Sequence, residues 1–180
     1  MRLFIAVDIN LRSKDLIEKK VDILKEEYDD QFKWVKKENW HLTLEFIGEA
    51  SEDEKADLIE VLKNINFKAH NEYIQFSQLG AFPDLKQAKV LYLALKQGKD
   101  ILKELNERLG KELFKYGFES DQREYIPHLT LGRNKSEAIK IKKDHLKNNF
   151  INIYAQIEGI SLYKSELKAE GPEYIKLFSI

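Results

Sequence analysis

The 180-residue sequence contains no cysteine, only three prolines and only two threonines. The absence of cysteine removes disulfides, thiolate nucleophiles and cysteine-ligated zinc together, and fits a reducing interior. Charge of one sign is also missing: 30 Lys+Arg stand against 31 Asp+Glu, a formal net charge of −1. A long basic face that grips many phosphates would need an excess of Lys and Arg, so broad polyanion binding is disfavoured. No apolar run approaches the roughly 18 residues of a membrane helix. The run from Leu3 to Val7 stops at Asp8, short of the roughly 7–15-residue core of a signal peptide. A soluble, cytoplasmic protein with no membrane association is expected. With 43% hydrophobic and 34% charged residues and eight glycines, the chain has the composition of neither a disordered segment nor a fibre. One domain over 1–180 is expected, burying roughly 70% of its unfolded surface.

What is present begins with apolar spacing. Ile17, Val21, Leu24 and Tyr28 form one stripe of a helix from Ser13 to Tyr28. Ser51, with Glu54 three residues on, has the spacing of a capping box ahead of a second helix striped by Leu58, Leu62 and Ile65. Leu102, Leu105, Leu109 and Leu113 predict a third over 99–116, stopped by Gly117. A fourth is expected over 136–146. Alternating segments over 40–47, 73–79, 88–95, 127–132, 151–163 and 173–179 predict strands, as does the amino-terminal run. Strict strand–helix alternation and a Gly-rich turn after the first strand are both missing, which excludes a dinucleotide-binding unit. The expected class is α+β.

The two threonines carry the main signal. His41-Leu42-Thr43-Leu44 recurs as His128-Leu129-Thr130-Leu131, so both threonines stand two residues after one of four histidines. Random placement would do this roughly once in 2,700 trials, a figure weakened about tenfold by choosing the offset afterwards. On a strand, residues i and i+2 share a face, so each histidine lies beside its threonine while Leu42, Leu44 and Phe46, and Leu129 and Leu131, face a core. A single His-x-Thr is commonly a solvent-facing pair. Two copies related by a pseudo-twofold would converge on one cleft, where two imidazoles could act as general acid and general base. Each threonine hydroxyl could donate to an anionic oxygen between them. A binuclear metal site is the competing use of two histidines, but no His-x-His or Asp-rich cluster accompanies them. His70 and His145 have no repeated partner and read as surface residues.

The sequence resembles the RNA 2′,3′-cyclic phosphodiesterases, also called 2′-5′ RNA ligases, of the two-histidine phosphoesterase superfamily. Besides the tetrads, the segments Arg2 to Val7, Trp34-Val35, Glu38 to Leu44 with Phe46-Ile47-Gly48, Gly80 to Pro83, Val90 to Leu93, Pro127 to Leu131 with Arg133, and Leu162 to Ser165 follow the family's order. The resemblance spans nearly the whole chain. It implies two pseudo-symmetric lobes whose antiparallel sheets line a central cleft, with helices outside. It implies hydrolysis of a 2′,3′-cyclic phosphate to a 2′-phosphomonoester with no metal or cofactor. His41 then matches the proton donor, His128 the proton acceptor, and Thr43 and Thr130 the hydroxyls that hold phosphate oxygens. The tetrads are identical, so the assignment of acid and base rests on the resemblance alone.

Phe4 shares its strand face with Ala6 and Asp8 and could line the cleft and stack on a base, or join the core. Tyr92, opposite Leu91, Leu93 and Leu95, stands equally between the two. Arg133 resembles the family's phosphate-pairing cation. Strict alternation puts it on the leucine face, so it needs a twist, a bulge at Gly132 or its own length to reach phosphate. The same parity places Glu45, where relatives often carry Lys, on the face of His41 and Thr43, where it would repel a long polyanion. Expected substrates are RNA 3′ ends or small cyclic nucleotides, handled by a monomer without a protein partner, with reverse 2′-5′ ligation following from microscopic reversibility. A non-catalytic nucleotide or RNA-end binding module is the alternative, and ADP-ribose cyclic phosphate a weaker substrate candidate.

Overall fold

Leu3, Ile5 and Val7 join the main hydrophobic core, while Phe4, Ala6 and Asp8 point the other way, yet all six are buried. Both faces of β1 (Arg2–Ile9) are covered: the second by the rings of His41, Tyr163 and Tyr174 around Phe4 and by Ser161, Tyr163 and Lys176 on Asp8, while strands pair on both edges. The computed structural model describes residues 1–67, 72–120, 123–142, 152–168 and 171–180. After β1 come α1 (Leu11–Tyr28), β2 (Phe32–Trp34), a 3-10 turn (Lys37–Asn39), β3 (Leu42–Glu49) and α2 (Glu52–Ile65). β4 (Tyr73–Phe82), β5 (Val90–Gln97), α3 (Lys99–Lys115), β6 (His128–Asn134), β7 (Ile153–Lys168) and β8 (Gly171–Ser179) complete the order.

Three helices form where their stripes predict, α1 beginning two residues ahead of the expected Ser13. Asn10 caps α1 by accepting from the Ser13 amide at 2.9 Å, and Ile17, Val21, Leu24 and Tyr28 are buried. Ser51 and Glu54 make the reciprocal capping box of α2. Gly117 ends α3 with φ +83°, and the Phe118 amide returns to the Leu113 carbonyl at 3.1 Å. The expected fourth helix is absent over 136–142, where Ile139 instead bridges to Ala88, and its remainder lies outside the described residues. Sequence reading also missed β2, whose three residues are too few for a period.

All strand pairs are antiparallel, in the order β2-β6-β5-β4-β7-β1-β3 with β8 also on β7. The long β7 joins the halves: Ile153–Gln156 pair with β4, and the strand then runs along β1 and β8. A unit of strand, helix and tetrad strand occurs twice, as β1-α1-β3 and as β5-α3-β6. Four strands separate β3 from β6 in the sheet order, yet the two touch. The sheet therefore curls until the tetrad strands meet. Helices α1 and α2 pack on β7, and α3 packs on α2, β3 and β5. Among the described residues no helix is long and apolar enough to cross a membrane.

Candidate active site

Each tetrad strand carries one extra residue at the same place. In β3 the pairs Ala6–Thr43 and Ile5–Glu45 leave Leu44 unpaired; in β6 the pairs Tyr92–Thr130 and Leu91–Gly132 leave Leu131 unpaired. A bulge of this kind reverses which face the following residues take. Arg133 therefore pairs with Val90 on the side of Tyr92 and Thr130, by a bulge at Leu131, one residue before the Gly132 bulge that was one of the three expected routes. Phe46, at the equivalent position of the first half, pairs with Phe4 and is 66% exposed. The expectations for Phe46 and Glu45 are both overturned. Phe46 leaves the core, and Glu45 turns into it beside Ile5, 5% exposed, with its charge felt by Tyr125. The site consequently lacks the repelling carboxylate.

Both histidines are held in the same way. His41 Nδ1 lies 2.7 Å from the Asn39 carbonyl, and His128 Nδ1 2.6 Å from the Ile126 carbonyl, each two residues back. A carbonyl only accepts, so Nδ1 carries the hydrogen in both rings and the neutral Nε2 keeps its lone pair. Thr43 Oγ1 sits 3.0 Å from His41 Nε2 and donates to it. Thr130 stands on the face of Tyr92, two residues from His128.

Aromatic rings wall each imidazole. His41 lies 4.9 Å from Phe4, 5.9 Å from Tyr163 and 5.3 Å from Tyr174. His128 lies 5.0 Å from Phe82 and 5.2 Å from Tyr92, which stack on each other at 4.4 Å. The walls desolvate the rings, and burial is the main cause that lowers both titrations, His41 to about 4. Their carbonyl partners oppose the shift. Among charges, Asp8 favours a proton on His41 while Lys14 and His128 disfavour it, and Arg133 disfavours one on His128. Among the described residues no group of three or more His, Asp or Glu is placed to hold a metal ion.

A model of the LigT-like phosphoesterase family matches the chain twice, over residues 12–92 and 93–174, each match taking in one tetrad. The chain belongs to this family. It is 33% identical over 184 residues to the RNA 2′,3′-cyclic phosphodiesterase of Methanocaldococcus jannaschii, covering 97% of this chain and 96% of that protein. The enzyme of the same name from Thermotoga maritima is 31% identical over 182 residues, covering 99% and 94%. A crystal structure from Thermus thermophilus superposes with a TM-score of 0.82 at 24% identity, covering 99% of this chain and 96% of that one. Escherichia coli LigT complexed with 3′-AMP superposes with a TM-score of 0.76 at 22% identity, covering 99% and 96%. Both share the fold.

In this LigT-like phosphoesterase the structure brings together His41, Thr43, Phe4, His128, Thr130, Tyr92 and Arg133. Phe4 is 3% exposed and touches His41, so it is both core and site wall. Sequence reading missed Asp8, Phe46, Phe82, Tyr163 and Tyr174 as site residues. A broken alternation, Phe46-Ile47 following Glu45, is the one local signal of the bulge. His70 and His145 lie outside the described residues.

One glycine of the LigT-like phosphoesterase fixes the second aromatic wall. A Cβ at Gly80 would fall 2.4 Å from the Tyr92 ring. Gly80→Ala is expected to push Tyr92 against Phe82 and His128 and to cost about 1–3 kcal/mol by overpacking. Urea denaturation reads the loss, and a raised KM with it shows that the ring has moved in the cleft.

Proposed function

We propose that this protein hydrolyses the 2′,3′-cyclic phosphate of RNA 3′ ends or nucleotides to a 2′-phosphomonoester, with His41 and His128 as the proton-transfer pair. The observation that carries the reading is the matched pair of imidazoles, each with Nδ1 tied to a carbonyl so that Nε2 is the nitrogen that exchanges a proton, with Thr43 Oγ1 on that nitrogen of His41. Tandem family matches and relatives that bear the phosphodiesterase name support it.

In this reading His128 Nε2 takes a proton from water as the water oxygen bonds to phosphorus. The bond from phosphorus to O3′ breaks, and His41 Nε2 delivers its proton to the departing oxygen. Attacking and leaving oxygens occupy opposite apical positions, which is why two histidines on facing strands suit the reaction. Thr43 and Thr130 donate to the non-bridging oxygens as charge accumulates there, and Thr43 exchanges its bond to His41 Nε2 for one to phosphate. Phe4 and Tyr92 shape the walls. Two side chains supply both proton movements, so the reading invokes no metal and no cofactor.

End-group analysis tests it. Purified protein in EDTA, given an RNA oligomer with a 2′,3′-cyclic phosphate, should yield only the 2′-phosphate. A 3′-phosphate product, or none, overturns the reading. Arg133 pairs with the phosphate through the face that the bulge gives it. Arg133→Ala removes one charged hydrogen-bonding group, worth about 1.5–3 kcal/mol, so KM should rise roughly ten- to hundredfold. Arg133→Lys should restore part of it, and an unchanged KM in steady-state assays would remove Arg133 from the site.

A further inference from the structure

The proposed reaction needs one histidine to arrive with a proton and the other without, and the two tetrads are identical in sequence, Nδ1 partner and bulge. A difference between the two sides must break the tie. On the first side that feature is a buried carboxylate. Asp8, 5% exposed, lies on the Phe4 and Ala6 face of β1, one position beyond the Val7–Leu42 pair and so across from His41. It accepts three hydrogen bonds: from Ser161 Oγ at 2.6 Å, Tyr163 OH at 2.5 Å and Lys176 Nζ at 2.7 Å. The Tyr163 ring it anchors stacks on Phe4 at 5.2 Å and lies at 26° to the His41 ring. On the second side the charge facing His128 is a cation, Arg133.

We propose that Asp8 is a positioning residue that, with Tyr163, sets His41 apart from His128 as the histidine that holds the proton. This rests on the proposed reaction. The groups facing His41 are Asp8 from β1, Lys14 from α1, His128 from β6, Tyr163 from β7 and Tyr174 from β8. Asp8 is the anion among them, and Lys176, half-exposed and 5.7 Å over the Tyr163 ring, partly neutralises it. When a phosphate fills the cleft, both imidazoles lose their remaining water, and the nearby charges still differ: His41 has the anion Asp8 set against the cation Lys14, whereas the charge facing His128 is the cation Arg133. The Tyr163 bond to Asp8 also fixes the ring against which His41 rests, holding Nε2 in its direction.

The test is the titration of each histidine by NMR, in the presence of inorganic phosphate, in the wild type, Asp8→Asn and Lys176→Gln. Asp8→Asn removes the anion and should lower the His41 midpoint by about one unit. Lys176→Gln leaves the carboxylate less neutralised and should raise the same midpoint, while His128 moves little in either variant. In parallel, kcat for Asp8→Asn should fall about tenfold with KM nearly unchanged, the fraction of protonated His41 having dropped. A structural role alone would not give shifts of opposite sign. Equal movement of both histidines, or no movement in both variants, overturns the proposal. Lys176 reaches solvent, so Lys176→Gln decides the matter if Asp8→Asn fails to fold. The NMR readout needs no turnover and separates this inference from the proposed hydrolysis.

Discussion

Replacing either His41 or His128 by alanine is expected to lower kcat on a 2′,3′-cyclic phosphate by about 10²–10⁴-fold. Replacing both should cost little more than the worse single change, because a proton donor without its acceptor completes no cycle and groups that act as a unit do not add. KM should change far less, since Thr43, Thr130 and the aromatic walls remain. The check is product formation followed chromatographically in EDTA for the three variants. Unchanged turnover in both single variants would end the proposal, whatever the double variant did. Alanine leaves a ring-sized space between the aromatic walls, so urea denaturation of each variant accompanies the assay. Among the described residues each ring is hydrogen-bonded to a backbone carbonyl and, for His41, to the Thr43 hydroxyl, groups that water can serve once the ring is gone.

The second large effect is on stability. Burial lowers His41 to about 4 in the folded protein, against an ordinary 6.5. The folded-state value is the lower one, so as pH falls the unfolded chain takes up the proton first and unfolding is favoured. The contribution of His41 is complete above pH ~6.5 and drains away as pH drops toward ~4, a loss of about 3 kcal/mol. His128, lowered in the same direction by the same cause, adds to it. Urea denaturation of wild type and His41→Asn at several pH values between ~7.5 and ~4 isolates the effect, because carboxylate titration is common to both proteins. The wild type should lose about 3 kcal/mol more than the variant over that interval. Equal slopes would show that His41 is not held neutral. Added phosphate should flatten the wild-type slope, since an anion in the cleft favours the charged ring. For the proposed reaction this gives the substrate a part in its own catalysis: the phosphate brings the charge that lets His41 hold the proton it donates.

Three helices were legible because each had one apolar stripe, two of them with an end signal as well, Ser51 with Glu54 at the start of α2 and Gly117 at the end of α3. The fourth expectation, over 136–146, had neither and did not form over 136–142. The site was half legible. His41, Thr43, His128 and Thr130 stood out because threonine is otherwise absent, and strand parity placed each pair on one face up to the bulge. Beyond Leu44 and Leu131 parity misled, since a bulge depends on the pairing of two strands and a single strand carries little trace of it. Glu45 shows the cost: parity placed it on the face of His41 and Thr43, yet pairing with Ile5 puts it inside. Asp8, Phe82, Tyr163 and Tyr174 were illegible for a different reason. They converge on the histidines from strands distant in sequence, so only the sheet order joins them.

The long strand β7 bears on how a substrate gets in. At about 3.3 Å per residue its 16 residues make a beam of roughly 50 Å. One end is laddered to β4 and the rest to β1 and β8. Parting the halves would shear those ladders, each bond worth about 0.5–1.5 kcal/mol. The gap between the histidines therefore behaves as a caliper with fixed jaws. Substrate entry and exit then depend on side chains at the rim, not on the halves parting.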